Sequence, residues 1–244
     1  MGNEHLHVDP LRQDYHEAIV RHPRRHETFM QRDIALVCID MQYLDAARGE
    51  GMFADVASSG VDPEAQDYYF DRLETTVLPN MVRLQERFRE LKLEVIHCRI
   101  CSLTRDGRDR SAGHKRLGLL ATPGSKEAEF LPEVEPAGDE IVLNKTTSGV
   151  FSSTNLRYVL HNIGIHSLYL AGVYTNECVE TTARDACDHG YFVTVIDDAC
   201  ATVTPGLHEA SLKTIRDRFA RIAATMEILK ELGGVPEISM ARGA

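Results

Sequence analysis

A chain of 244 residues, 43% of them apolar, with a formal net charge of -10 is long enough to bury the core of one large α/β domain. The negative balance argues against nucleic acid and anionic membrane surfaces as general partners. No apolar run approaches the roughly 20 residues of a membrane span.

The start, MGNEHLHVDP, lacks the apolar core of a signal peptide, and Leu6 stands where a myristoylation signal needs Ser or Thr. Cysteines 38, 98, 101, 178, 187 and 200 lie mostly in apolar runs, which suits a reducing cytoplasm. Cys98 and Cys101 form one C-x-x-C without a second pair at zinc-site spacing.

Residues 1–30 are polar and rich in His and Arg. They are expected to pack as an extension on a domain spanning 31–244, or on a neighbouring subunit. DIALVCID (33–40) is a nearly continuous apolar run, the pattern of a central parallel strand covered on both faces, and it ends in Asp40. The glycine-rich stretch 44–61 reads as a loop. From 62 to 91, Tyr69, Leu73, Val77, Met81, Leu84, Phe88 and Leu91 recur at helical spacing, and Pro79 is expected to kink or split that helix. LEVIHCRI (93–100) is the second strand, with Arg99 near its end.

The stretch 102–138 is the longest irregular one and opens with Arg105, Arg108, Arg110, His114, Lys115 and Arg116. Connections of that length are usually functional or mobile. Two readings compete: a solvated surface, or a lid that brings an Arg to a substrate carbonyl or carboxylate. EIVLNK (140–145) is the third strand and ends in Lys145. A helix follows over 156–163, capped by Ser153 or Thr154 and closed by Gly164.

The fourth strand, Ser167 to Ala171, leads through a sharp turn into a helix that starts at Cys178. The fifth strand is read at 191–197, with DDACATVTPG as a turn. A helix from Leu207 to Phe219, a sixth strand at 220–225 and a last helix, MEILKEL, complete the chain. Alternating strands and helices predict a three-layer α/β/α sandwich on a six-stranded, mainly parallel sheet.

Asp40, Lys145 and Cys178 each end a different predicted strand, and in a parallel sheet those ends meet at one edge. At a helix N-terminus, free N–H groups and the helix dipole favour thiolate, the nucleophilic form. A carboxylate can take the thiol proton and later pass it to a leaving amine, while an ammonium between the two holds their geometry. The plainer reading is a buried structural cysteine beside an Asp–Lys ion pair.

Four segments carry a family resemblance: ALVCIDMQ (35–42), NKTTSGVFSSTNL (144–156), GVYTNECVETTARDACDHGY (172–191) and DDACAT (197–202). Over roughly 33–230 the chain resembles the isochorismatase-like cysteine hydrolases, whose fold is Rossmann-like. The resemblance implies Asp40, Lys145 and Cys178 as a catalytic triad. It also implies a cis peptide between Val173 and Tyr174, with the N–H groups of Tyr174 and Cys178 as oxyanion hole. Arg99, Phe151, Tyr174 and Asn176 are the expected substrate contacts.

Nicotinamidases of that superfamily carry an Asp-and-His metal site just after the first motif, yet 41–61 contains no His. Neither a metal nor another cofactor is therefore expected. The expected activity is hydrolysis of a small linear amide of ureido or carbamoyl type, through a thioester and with release of ammonia. The chain is expected to be cytoplasmic and homo-oligomeric, a dimer or tetramer, with a small-molecule amide as partner and neither nucleic acid nor membrane. A maleamate-like or aromatic amide stays open, as does a binding protein that kept the fold and lost turnover.

Overall fold

The computed structural model describes residues 11–55 and 59–236. Six strands form one sheet: β1 (Ile34–Ile39), β2 (Glu94–Ile100), β3 (Ile141–Lys145), β4 (Ser167–Val173), β5 (Phe192–Ala201) and β6 (Arg221–Ala223). Their order is β3-β2-β1-β4-β5-β6 and every pairing is parallel. All six residues of β1 are buried, because helices cover both faces and alternate side chains enter opposite layers. Leu36 and Cys38 join one core cluster, and Ala35, Val37 and Ile39 join the other.

The helices are α1 (Arg12–Tyr15), α2 (Pro23–Met30), α3 (Tyr43–Ala46), α4 (Pro63–Arg72), α5 (Leu78–Glu90), α6 (Ala112–Arg116), α7 (Val150–Ser153), α8 (Leu156–Asn162), α9 (Glu180–Asp188), α10 (Pro205–Ile215) and α11 (Thr225–Leu232). α4, α5 and α11 fill the first layer with Tyr69, Phe70, Leu84, Phe88 and Ile228. α8, α9 and α10 fill the second with Leu156, Leu160, Ala183, Ala186 and Leu212.

The expected helix around Pro79 comes as two α-helices joined without a break in the chain. α4 passes through a π-helical turn, Leu73–Val77, into α5. Pro79 thereby falls in a first turn, where its missing N–H costs least. The expected loop at 44–61 holds α3 and a 3₁₀ turn at Gly51–Phe53. α8 starts after Asn155, and the Thr154 hydroxyl accepts from the Leu156 N–H at 3.1 Å.

DDAC is strand, not turn: β5 runs on to Ala201, with a register shift against β4 between Leu170 and Gly172. Its two acids find partners at helix ends. Asp197 meets His208 at 2.8 Å, and Asp198 accepts from the Thr225 N–H and hydroxyl, both at 2.7 Å. α10 begins at Pro205 under a Thr204 cap and stops at Ile215. Beyond it Asp217 takes a left-handed φ of 67° and its N–H closes on the Ala220 carbonyl.

The described part of the N-terminal extension is helical and lies on the domain. Arg25 donates to the Val193 carbonyl at 3.0 Å and to the Thr194 hydroxyl, while Arg12 and His16 hold Asp217 at 2.7 and 3.0 Å. From β1 the chain winds outward one way through β2 and β3, and from β4 the other way through β5 and β6. This reversal opens a crevice beyond the carboxyl ends of β1 and β4, where doubly wound sheets bind ligands.

Candidate active site

Three elements deliver three side chains to that crevice. β1 delivers Asp40, whose φ of 55° turns the chain out of the strand while its N–H stays on the Cys98 carbonyl at 2.8 Å. Asp tolerates the left-handed region better than most residues. β3 ends in Lys145. β4 runs through Gly172 and the cis peptide Val173–Tyr174 into a π-helical turn, Thr175–Val179, continuous with α9.

Gly172 has a φ of 125°, and a Cβ there would lie 2.0 Å from the Ile39 carbonyl oxygen. Only glycine lets β4 pass this close to the end of β1. Cys178 thus stands inside the first helical turn, not at its first residue. The Tyr174 carbonyl accepts from the N–H groups of Glu177 and Val179, spaced around that of Cys178.

Asp40, Lys145 and Cys178 are 1%, 0% and 3% exposed. Lys145 Nζ stands 2.9 Å from Asp40 Oδ2, 3.3 Å from Cys178 Sγ and 3.1 Å from the Thr147 carbonyl. Burial pushes the Cys178 thiol well above its usual range; Lys145 opposes this, and Asp40 and Asp45 add to it. Burial and the two carboxylates thus work against the thiolate that the helix terminus and Lys145 favour.

Burial also raises Asp40, against the pull of Lys145, so the carboxylate is a stronger base than a solvated one. Burial alone would discharge Lys145, but Asp40 and Cys178 more than reverse that and hold it protonated.

The structure disperses the expected substrate contacts. Arg99 gives Nε to Asn144 Oδ1 at 2.8 Å and a terminal nitrogen to the Ala128 carbonyl at 2.6 Å, with its guanidinium 5.1 Å from the Phe130 ring centre. These contacts tie it to the neighbouring strand β3 and to the segment around Ala128. Phe151 packs on His189 and Tyr191, with centroids 5.1 and 5.9 Å apart, at the far end of α9 from Cys178. Asn176 accepts from the Thr202 hydroxyl at 2.5 Å, tying the turn to the end of β5. Tyr174 is half-buried, its hydroxyl 3.5 Å from the Asp45 carbonyl and its ring 5.2 Å from that of Tyr69.

Several neighbours escaped sequence reasoning. Gln42 is fully buried; its amide donates to the Ile100 and Glu127 carbonyls at 2.9 and 2.7 Å and accepts from the Ile100 N–H at 2.6 Å. Thr175 meets His208 at 2.8 Å and so pins the turn before Cys178 to α10. His114, on α6, is buried, and the Lys145 charge bears on it. Asp45, on α3, is 2% exposed and its Oδ2 has no partner. An Asp five residues after Asp40, in the short helix that follows β1, was the one available signal. Among the described residues no group of three or more His, Cys, Asp or Glu is arranged to hold a metal ion, and no helix is long and apolar enough to cross a membrane.

A parallel sheet that gathers a carboxylate, an ammonium and a thiol at its carboxyl edge defines an α/β protein with the isochorismatase-like hydrolase fold. The Isochorismatase domain matches residues 34–227, and the chain belongs to that family. It is 34% identical to the ureidoacrylate amidohydrolase RutB of Acinetobacter baylyi over 113 residues, covering 46% of each chain. Against the maleamate amidohydrolase of Pseudomonas putida it is 29% identical over 109 residues, 45% of this chain and 51% of that one. The matches thus span about half the length of these curated relatives. An isochorismatase family protein from Desulfovibrio vulgaris superposes with a TM-score of 0.69 at 26% identity, over 82% of this chain and 98% of that one.

Proposed function

We propose that the chain is a cysteine-dependent amidohydrolase acting on a small linear amide of ureido or carbamoyl type. The observation that carries this is the Lys145 ammonium set 2.9 Å from Asp40 and 3.3 Å from Cys178. As Cys178 Sγ attacks the amide carbonyl carbon, its proton passes to Asp40. The raised basicity of Asp40 narrows the gap between acceptor and thiol, as general base catalysis requires. The oxyanion of the tetrahedral intermediate is received by the N–H groups of Tyr174 and Cys178.

Collapse breaks the C–N bond; Asp40 returns the proton to the leaving nitrogen, ammonia departs and a Cys178 thioester remains. Water, deprotonated by Asp40, then hydrolyses the thioester and restores the thiol. Lys145 keeps its charge throughout and holds both partners in place. We further place the protein in a reducing cytoplasm, which the six free cysteines favour, as a homo-oligomer, dimer or tetramer, with a small amide as its partner.

The test is mass spectrometry of the protein quenched during incubation with a panel of ureido and carbamoyl amides, alongside ammonia release. An acyl adduct on Cys178 is expected, and Cys178→Ala should retain less than about a thousandth of the turnover. Ammonia release by the alanine variant at a tenth of the wild-type rate or more would overturn the covalent route.

A further inference from the structure

Tyr169, Thr194 and Arg221 form a row across β4, β5 and β6, each the register partner of the next. Arg25 of α2 lies on the middle of that row: its terminal nitrogens donate to the Thr194 hydroxyl and to the Val193 carbonyl at 3.0 Å. Tyr169, Arg221 and Arg25 line a cavity of about 420 Å³, whose apolar wall includes Val20, Pro23 and Phe29 of the N-terminal segment. Tyr169 packs in the first core layer and Cys178 in the second, so this cavity and the thiol lie on opposite faces of the sheet.

Two donors at the cavity lack acceptors among the described residues. Tyr169 is 4% exposed, and burial raises its phenol, so the hydroxyl keeps its proton with no hydrogen bond to receive it. Arg25 leaves its Nε–H unmatched and pairs with no carboxylate. Burial pulls its guanidinium down to about 10, which still leaves it charged at neutral pH. The other charges are answered. Arg221 is held by Glu231 and by exposed Glu227, and Arg21 by exposed Glu17 at 3.1 Å. His22 takes the Arg24 N–H on Nδ1 at 3.2 Å, and His26 is exposed.

We propose that this cavity is a second binding site, for a small monocarboxylate with an apolar body, whose carboxylate accepts from Arg25 and the Tyr169 hydroxyl and whose body lies against Val20, Pro23 and Phe29. A buried donor without an acceptor costs free energy until one arrives. A carboxylate offers two oxygens to the two donors and one negative charge to the one unanswered guanidinium. Apolar walls with a few placed polar groups, at this volume, are what small-molecule sites present. A ligand there touches both α2 and the sheet, so it fastens the N-terminal segment to the domain and stabilises the fold.

Benzoate is the probe, with benzyl alcohol as its uncharged counterpart and inorganic phosphate as an anion without an apolar body. Calorimetry on the full chain should show benzoate binding at least about tenfold tighter than either. Tyr169→Phe keeps the ring and loses only the hydroxyl; it should weaken benzoate about fivefold to tenfold, and Arg25→Met should do so at least about tenfold. Benzoate should leave the rate at which iodoacetamide alkylates Cys178 unchanged, because it binds away from the thiol. Absence of benzoate binding, equal binding of benzyl alcohol, tighter binding of phosphate, an unchanged affinity in Tyr169→Phe, or slower alkylation of Cys178 with benzoate present overturns the proposal. Tyr169→Phe decides by itself should Arg25→Met fail to fold.

Discussion

At the scale of single residues, the chemistry turns on how three charges share one proton. Asp40 raises the Cys178 thiol and Lys145 lowers it, so the two variants should move in opposite directions. Asp40→Asn removes the anion that holds the proton on sulfur; its Cys178 should alkylate faster than wild type at pH 8 although turnover is lost. Lys145→Met should alkylate more slowly and lose about 3–5 kcal/mol of stability, because Asp40 is left buried without its counter-charge. Iodoacetamide rates against pH decide this, and equal profiles in all three proteins would sink the account.

Arg99 tests the same distinction between chemistry and scaffold. Arg99→Ala should lower stability by about 1–2 kcal/mol, through two lost hydrogen bonds and the Phe130 contact, and leave kcat/KM within about threefold. Asp40, Lys145 and Cys178 were legible because each ends an apolar run. The contacts of Arg99 and Phe151 were not legible, because a position at a strand end or near a motif does not say which way a side chain leaves the backbone. The burial that works against the thiolate was not legible for another reason: desolvation depends on what covers a residue, and that is not written beside it in the chain.

At the scale of elements, apolar runs located all six strands, and the limits that failed did so where polar residues are paired inside an element. Asp197 and Asp198 read as a turn, yet β5 continues through them because His208 and Thr225 satisfy their carboxylates. The π-helical turns at Leu73–Val77 and Thr175–Val179 have no period in the sequence to announce them. The stretch 102–138 is irregular as expected, but it is pinned rather than loose. Gln42 reaches its Glu127 carbonyl, Leu131 donates to the Met41 carbonyl at 3.0 Å, and Ser111 donates to that of Thr146 at 2.9 Å.

Gln42 is therefore the knot between the ends of β1 and β2 and this segment. Gln42→Ala strands the Ile100 N–H and two carbonyls in a buried place, at a cost of about 3 kcal/mol, or a fall in Tm of roughly 6–12 °C. Thermal unfolding with limited proteolysis should show the loss together with new cleavage inside 102–138. An unshifted Tm would mean that water replaces all three bonds.

At the scale of the whole molecule, the sheet order was legible only as a class. Alternating strands and helices imply parallel pairing, but the reversal between β1 and β4 that creates the crevice appears only in the folded sheet. The N-terminal segment is the other long-range feature: Arg12 and His16 reach Asp217, more than 200 residues away. Burial pushes the Asp217 carboxyl up, but the His16 and Arg12 contacts outweigh it and hold the group below the usual carboxylate range. A depressed carboxylate stabilises the fold above its unfolded value of about 3.9, and that contribution disappears as pH falls through the lower folded value. Wild type should therefore melt above Asp217→Asn at pH 7, and the gap should close below about pH 4, because protonation makes the native group as neutral as the amide. Melting curves of both proteins from pH 7 to pH 3 measure this directly. A gap that stays constant across the range would mean that Asp217 acts through its turn geometry, at the left-handed φ of 67° that Asn also tolerates, and that contacts such as those of Arg25 and His22 hold the N-terminal helices instead.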